Sequence, residues 1–177
     1  AVKMLKPEHR GNDTARRDLE IETALLRGLS HRHLPKLFAM GSFQSSLFVV
    51  MERLSGTLEA ALPPQKIGGA AVPIWIYLAA VRRWPLQRGL RVAIDLADVL
   101  AYCHGGGGVP GAGVMHRDLK PDNIGFSAAD GRLVLFDFGL AKLVPRMEGD
   151  VSGAAPRPMT GGVGSPRYMA PEVVLSK

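Results

Sequence analysis

The residues with the clearest chemical potential lie in the stretch Val114–Gly139, where charged and amide side chains alternate with short apolar runs. Asp118, Lys120 and Asn123 fall within one six-residue loop, and Asp137 follows the apolar run LVLF. A carboxylate can orient a hydroxyl group and accept its proton, and a lysine can neutralise a negative group. The combination is typical of a site that transfers a phosphoryl group.

A turn within this stretch predicts that Asn123 and Asp137 lie close together. Residues Ala129–Gly131 separate two short runs with the composition of strands, which predicts a hairpin. The hairpin would bring Asp137 back beside Asn123. A carboxylate oxygen and an amide oxygen in one place suit Mg²⁺, which prefers oxygen ligands and takes few of them from the protein. The sequence therefore predicts a magnesium site at these two residues.

Three motifs carry a resemblance to eukaryotic protein kinases. The segment His116–Asn123, HRDLKPDN, resembles their catalytic loop, Asp137–Gly139 resembles their DFG motif, and Ala170–Glu172 resembles their APE motif. Lys120 is the lysine typical of serine/threonine rather than tyrosine kinases. The segment 159–172 is similar to the tyrosine-kinase-like branch of the serine/threonine kinases.

The resemblance implies an α+β, two-lobed protein kinase-like fold that is truncated at both ends. Residues 1–54 would be part of the β-rich small lobe and the hinge, and residues 55–177 part of the α-helical large lobe through the APE motif. The opening alternation AVKMLK predicts a strand already under way at the first residue. Because the family has a glycine-rich phosphate loop before this strand and further helices after the APE motif, we expect a fragment of a longer catalytic domain.

Hydrophobic periodicity predicts the elements around these motifs. A helix is expected over Asp13–Ser30, capped by Asp13 or Thr14. Two strands are expected over Leu34–Gly41 and Leu47–Arg53.

A second helix is expected over Leu86–His104, before the glycine-rich run 105–113. Its core-facing residues are predicted to be Leu90, Ile94, Ala97, Leu100 and Ala101. Residues 57–87 match the family least well, and we expect a short helix, an inserted loop and an apolar segment of uncertain type there.

The resemblance implies that two small-lobe residues bind ATP together. Lys3 matches the lysine that clamps the α- and β-phosphates, and Glu22 matches its helical partner. Glu22 is followed by apolar residues four and seven positions later and by a histidine nine positions later, as in the family; Glu20 is the weaker alternative. Without the resemblance, a lone lysine in a strand is more often an exposed residue.

The segment Val50–Leu54 resembles the linker between kinase lobes. By that resemblance Met51 would guard the back of the nucleotide pocket. Glu52 and Leu54 would offer backbone groups to adenine.

Four residues of the large lobe receive catalytic roles from the resemblance. Asp118 would accept the hydrogen bond and then the proton of the substrate hydroxyl, acting as base. Lys120 would contact the transferring phosphate, and Asn123 and Asp137 would hold Mg²⁺. His116 is expected to pack with Phe138 in a hydrophobic stack rather than to react, because kinases use an aspartate as base.

A polar segment between the DFG and APE motifs suits an order–disorder switch. Arg117 resembles the arginine that pairs with an activating phosphate, and Thr160 is the first candidate phosphosite, with Ser152 second. Ser165 stands where most such kinases carry threonine, so a hydroxyl is retained near the catalytic residues.

Composition limits the kinds of partner. The net charge is +6, but the basic residues are scattered without interleaved aromatic residues, so no nucleic-acid partner is expected. The longest apolar run, 70–81, is about twelve residues against the roughly 20 that span a bilayer, so no membrane segment is expected in this stretch. Cys103 is the sole cysteine, which excludes an intrachain disulfide. We expect an intracellular, cytoplasmic protein, whose parent could still be anchored to a membrane.

These observations favour a protein kinase that uses ATP and Mg²⁺ to phosphorylate serine or threonine hydroxyls of protein substrates. The isolated fragment need not be active. The alternative is a pseudokinase, a scaffold that binds nucleotide or partners without turnover. The usual sign of a pseudokinase is loss of the lysine or of a catalytic aspartate, and Lys3, Asp118 and Asp137 are all present. A small-molecule kinase is a third possibility, against which the APE motif argues.

Overall fold

The computed structural model describes residues 1–9, 11–43, 46–63, 66–67, 70–82, 84–145 and 162–175. The strands within these ranges are β1 (Val2–Met4), β2 (Leu37–Phe43), β3 (Ser46–Met51), β4 (Leu54–Thr57), β5 (Lys66–Ile67), β6 (Ala70–Ala71), β7 (Ala112–Met115), β8 (Ile124–Ser127), β9 (Leu133–Leu135) and β10 (Lys142–Pro145). The helices are α1 (Asp13–Gly28), α2 (Leu58–Ala61), α3 (Ile74–Arg82), α4 (Leu86–His104) and α5 (Pro171–Leu175). The α+β class predicted from the sequence is confirmed.

The first sheet has the antiparallel order β1-β3-β2, with Lys3 opposite Val49 of the central strand. β2 begins at Leu37, three residues later than predicted, because the chain first turns at residues 31–34, where the Leu34 amide donates to the His31 carbonyl at 3.1 Å. β3 ends at Met51, two residues before the predicted end.

Helix α1 begins one residue after an asparagine cap that the sequence analysis missed. Asn12 Oδ1 accepts hydrogen bonds from the amides of Thr14 and Ala15, at 3.0 and 3.1 Å. The predicted caps, Asp13 and Thr14, were wrong because both already lie inside the helix, whereas the Asn12 backbone is extended as a cap requires. The helix ends at Gly28, two residues before the predicted end.

The second sheet, β4-β8-β9, contains the predicted hairpin. Ile124 pairs with Leu135 across β8 and β9, and the turn closes with a 2.9 Å hydrogen bond from the Gly131 amide to the Ser127 carbonyl. Gly131 has a φ of 73°, a conformation that residues with a Cβ rarely adopt. All three residues of β9 are buried, so this hairpin lies in the core.

Helix α4 has the predicted bounds but buries a different face. Leu90 and Ile94 are 54% and 67% exposed, so their predicted place in the core was wrong. Val99 and Cys103 are buried instead, in one cluster with Leu133 of β9. The face expected to be buried also included Ala97 and Ala101, which are exposed, and Leu100, which is half-buried. Apolar residues occupy both faces of this helix, so periodicity could not select the correct one.

The region 57–87 contains the short helix α2, a hairpin of β5 and β6, and α3. The apolar segment of uncertain type is therefore helical. No helix in the described part of the chain combines the length and the apolar character needed to cross a membrane.

Candidate active site

Lys3 is held between two carboxylates that come from different parts of the chain. Its Nζ donates to Glu22 Oε2 at 2.6 Å and to Asp137 Oδ1 at 3.0 Å. Strand β1 presents the lysine, and the buried face of α1 presents Glu22. Burial by itself would lower the pKa of Lys3, but the two carboxylates outweigh burial and raise it, so the ammonium stays charged.

Glu22, rather than the alternative Glu20, lies beside the lysine. Glu22 is 3% exposed, which requires a cationic partner for its carboxylate. Glu20 instead lies on the exposed side of α1 and contacts Arg16 at 3.0 Å.

The carboxylate of Asp118 is fixed by three donors. Lys120 Nζ and Asn123 Nδ2 donate to its Oδ2 at 2.8 and 3.0 Å, and the Ser165 amide donates to its Oδ1 at 2.9 Å. Asn123 Nδ2 also reaches the Asp118 carbonyl at 2.9 Å. Burial tends to raise the pKa of Asp118, but the hydrogen bonds from Lys120, Ser165 and Asn123 outweigh it and hold the pKa below its usual value.

His116 forms hydrogen bonds that hold this loop in place, and its ring is neutral. Its Nε2 lies 3.1 Å from the Phe136 carbonyl, and its Nδ1 accepts from the Asp118 amide at 3.3 Å. Burial lowers the pKa of His116, in agreement with that single-proton pattern. Its ring meets the Phe138 ring edge-on at 4.7 Å, and Phe138 belongs to the core cluster that also contains Leu26 and contacts Leu37. His116 therefore packs and orients backbone groups.

Two residues at the site have backbone conformations that are unusual for side chains with a Cβ. Arg117 and Asp137 both have φ of 65°. Such conformations cost free energy and recur where a side chain must be held in one functional direction. Arg117 Nε donates to the Leu140 carbonyl at 2.6 Å, which links the catalytic loop to the residues after Asp137.

Asn123 and Asp137 fit the predicted divalent metal chemically. The Phe136 amide donates to the Asn123 carbonyl at 3.0 Å, so the hairpin does place Asp137 one residue from a bonded partner of Asn123. Among the described residues, the amide nitrogen of Asn123 donates to Asp118 alone, and its Oδ1 is the atom available to a cation. One amide oxygen and one carboxylate suit Mg²⁺, which completes its shell with waters and phosphate oxygens. No cluster of three or more acidic, histidine or cysteine ligands occurs among the described residues.

The predicted hinge joins the sheet β1-β3-β2 to the sheet β4-β8-β9. Met51 ends β3, Leu54 begins β4, and Glu52 lies between them with a buried side chain. The sequence analysis missed the partner of Glu52, which is Arg132 at 2.6 Å. These two residues are 80 positions apart and belong to no common motif, so no local signal connects them.

One cavity of about 290 Å³ collects charged residues from β1, from α1, from the loop that contains Asp118 and from the residues after β9. Its lining includes Lys3, Glu22, Asp118 and Asp137. A polyphosphate in this cavity would face one lysine, and a hydroxyl would face the fixed carboxylate of Asp118. The proposed phosphosites Thr160 and Ser152 lie outside the described residues.

Comparison with known families identifies the family of this chain. Residues 1–177 match the family model described as the protein kinase domain. The chain belongs to the protein kinase family. It is 33% identical over 174 residues to the serine/threonine-protein kinase PEPKR2 of Arabidopsis thaliana, covering 98% of this chain and 29% of that protein.

Other relatives are also kinases. The chain is 32% identical over 157 residues to CBL-interacting protein kinase 4 of Oryza sativa subsp. japonica, covering 86% of this chain and 28% of that protein. It is 32% identical over 187 residues to receptor-like protein kinase 5 of Arabidopsis thaliana, covering 99% of this chain and 16% of that protein. The chain therefore spans less than a third of the length of these relatives.

Proposed function

We propose that this chain carries the catalytic centre of a serine/threonine protein kinase, which transfers the γ-phosphoryl group of ATP to hydroxyl groups of protein substrates. The observation that carries the proposal is the fixed carboxylate of Asp118, beside Lys120 and in one cavity with the Lys3–Glu22 pair. A site of this kind acts mainly by positioning groups and by neutralising charge.

Asp118 is the proposed base, and its two oxygens differ in capacity. Oδ2 accepts from both Lys120 and Asn123, whereas within the described part of the chain the donor to Oδ1 is the Ser165 amide. Oδ1 therefore keeps an acceptor position for the substrate hydroxyl. Because the pKa of Asp118 is low, it orients the hydroxyl first and takes the proton late in the transfer.

The other proposed roles concern binding of the nucleotide and of the metal ion. Lys3 binds the α- and β-phosphates and is held in place by Glu22, while Lys120 binds the transferring phosphate. Asn123 and Asp137 hold the metal, for which we propose Mg²⁺; when bound, it neutralises phosphate charge. Met51 lines the back of the adenine site, and the backbone of Glu52 and Leu54 contacts adenine.

The finer classification is also a proposal. We place the chain in the tyrosine-kinase-like branch because of the residues that lead into the APE motif, and a receptor-like kinase is among its relatives. We also propose that residues 1–54 act as the small-lobe side of the site and residues 55–177 as the large-lobe side.

A phosphotransfer assay on the intact protein tests the function. Wild type should incorporate phosphate from MgATP into a serine/threonine peptide library, and Asp118→Asn should lose nearly all of that activity while still binding nucleotide. Equal incorporation by both proteins would refute the role of Asp118. Nucleotide binding by wild type without any phosphate transfer would instead support the pseudokinase alternative.

A further inference from the structure

Arg132, in the turn between β8 and β9, reaches across to the segment that joins β3 and β4. Its Nη2 lies 2.6 Å from both Oε1 and Oε2 of Glu52. The side chains are only 12% and 9% exposed, so the contact is a buried ion pair. It links the proposed adenine-binding backbone to a part of the chain that contains no catalytic motif.

The Glu52 carboxylate has further donors on its other sides. The Lys36 amide donates to Oε2 at 3.3 Å, and the Ser127 hydroxyl also bonds to the carboxylate. Burial acts to raise the pKa of Glu52, but the hydrogen bonds from Ser127, Arg132 and Lys36 lower it further than burial raises it. The glutamate is therefore ionised at neutral pH, and the pair is a true ion pair.

The backbone next to Glu52 is attached to the same hairpin. The Ala128 amide donates to the Arg53 carbonyl at 2.9 Å, and Leu54 pairs with Ser127. The Glu52 amide donates to the Lys36 carbonyl at 2.8 Å. Main-chain hydrogen bonds thus hold residues 52–54 to Lys36 and to the β8–β9 hairpin. The Arg132 guanidinium adds a charged contact from the hairpin to Glu52.

Stability alone is a weak explanation for this arrangement. A buried ion pair seldom stabilises a fold more than a well-packed apolar pair of the same size. Arg132 Nη1 is moreover buried with no hydrogen-bond partner among the described residues, which adds a desolvation cost. What the pair does supply is a charge-assisted contact from Nη2 to both carboxylate oxygens of Glu52, which ties this side chain to the turn before β9.

We propose that Arg132 is a positioning residue for nucleotide binding, which holds Glu52 so that the backbone of residues 52–54 faces the adenine ring. The inference rests on the proposed function, since it assigns a second residue to the same ATP site. A preorganised backbone binds more tightly because less freedom is lost on binding. Loss of Arg132 should therefore weaken adenine recognition and leave the transfer step unchanged.

The test compares variants of the intact protein in ATP kinetics and in binding of adenosine and of inorganic triphosphate. Arg132→Met should raise the KM for ATP and the Kd for adenosine by the same factor, about tenfold, which corresponds to about 1.4 kcal/mol. The kcat at saturating ATP and the Kd for triphosphate should stay within about twofold, because neither depends on the adenine contact. Arg132→Lys, which keeps the charge, should restore part of the affinity.

Asp130→Asn is the matched control. Asp130 lies in the same turn and contacts Arg132 Nε at 3.4 Å from its exposed side, without touching Glu52. It should leave the KM for ATP and the Kd for adenosine unchanged. If Asp130→Asn raises the KM for ATP and the Kd for adenosine as much as Arg132→Met does, any disturbance of the turn weakens nucleotide binding. That result would overturn the assignment of Arg132.

Folding is separated from positioning by a second variant. Removing one partner of a buried pair leaves an uncompensated charge, so Arg132→Met could unfold the protein. The double variant Glu52→Gln/Arg132→Met removes both charges, and its KM for ATP should rise as in the single variant. An unchanged KM in either folded variant overturns the inference. Failure of wild type to bind ATP or adenosine would overturn the proposed function instead.

Discussion

Lys120 and Ser165 are in direct contact although 45 positions separate them: the lysine Nζ donates to the serine Oγ at 2.9 Å. The same lysine donates to Asp118, and the Ser165 amide donates to the other oxygen of Asp118. The catalytic loop and the segment that leads into the APE motif therefore share one hydrogen-bond network. A shift of Ser165 would break its hydrogen bonds both to Lys120 and to the proposed base.

This network predicts that the hydroxyl of Ser165 contributes to turnover. Ser165→Ala keeps the backbone bond to Asp118 and removes the hydroxyl that accepts from Lys120, a charged hydrogen bond worth about 1.5–3 kcal/mol. We expect kcat to fall by roughly tenfold to a hundredfold. Ser165→Thr keeps the hydroxyl and should retain most of the activity. Similar kcat values for the alanine and threonine variants would contradict the role of the hydroxyl.

The Lys3–Glu22 pair predicts a difference between two glutamates of the same helix. Glu22→Gln removes the buried charge beside Lys3, so the lysine is held less firmly toward the phosphates. The KM for ATP should rise, by about tenfold if one charged contact is lost. Glu20→Gln is the control. Within the described residues, the ion-pair partner of Glu20 is the exposed Arg16 and not Lys3.

Steady-state kinetics with ATP varied at a fixed peptide concentration measure both variants. The pairing is contradicted if Glu22→Gln retains the wild-type KM. An equal increase in both variants would instead indicate a general disturbance of α1.

The sequence was most informative where function depends on short spacing. Asp118, Lys120 and Asn123 lie in one loop, so their contacts follow from local geometry, and the turn before Leu133 correctly predicted the hairpin. The alternation around Lys3 likewise predicted β1.

Contacts between distant segments could not be derived in this way. Nothing near Glu52 indicates that Arg132 is its partner, because the pair forms only when two sheets meet. Helix α4 is apolar on both faces, so the buried face at Val99 is chosen by the neighbouring β9 and not by the periodicity of the helix. Tertiary packing supplied what the local pattern left open.

The neutral state of His116 predicts a pH dependence of stability. Its pKa in the folded protein is lowered from 6.5, so the unfolded chain binds the proton more readily. Its contribution is complete above about pH 6.5 and is lost as the pH falls toward the lowered value. Protonation would place a second N–H at Nδ1, opposite the Asp118 amide that now donates to it.

Urea unfolding of wild type and His116→Gln at about pH 7.5 and about pH 5.5 measures this effect. Glutamine offers one donor and one acceptor but does not titrate. The free energy of unfolding of wild type should therefore fall more on acidification than that of the variant. His31, whose pKa burial also lowers, remains in both proteins and cancels in the comparison. Equal losses would show that His116 does not titrate differently on folding.

The glycine-rich loop before β7 predicts a contrast between two of its glycines. Gly108 and Gly111 have φ of 80° and 70°, so alanine is strained at either position, by about 1–2 kcal/mol. A Cβ on Gly108 would also lie 2.1 Å from the carbonyl oxygen of Gly28, the last residue of α1, whereas a Cβ on Gly111 would meet nothing within 4 Å. Gly108→Ala must therefore force apart the loop and the end of the helix that carries Glu22.

Thermal unfolding and ATP kinetics of the two variants separate these effects. Gly111→Ala should lower the Tm modestly, through backbone strain alone, and should leave the KM for ATP unchanged. Gly108→Ala should lower the Tm further and raise the KM for ATP, because a shift of α1 lengthens the contact of Glu22 with Lys3. Equal Tm and KM values for the two variants would mean that the loop does not support α1. A lower Tm without a change in KM would mean that the supported end of the helix is independent of the Lys3–Glu22 pair.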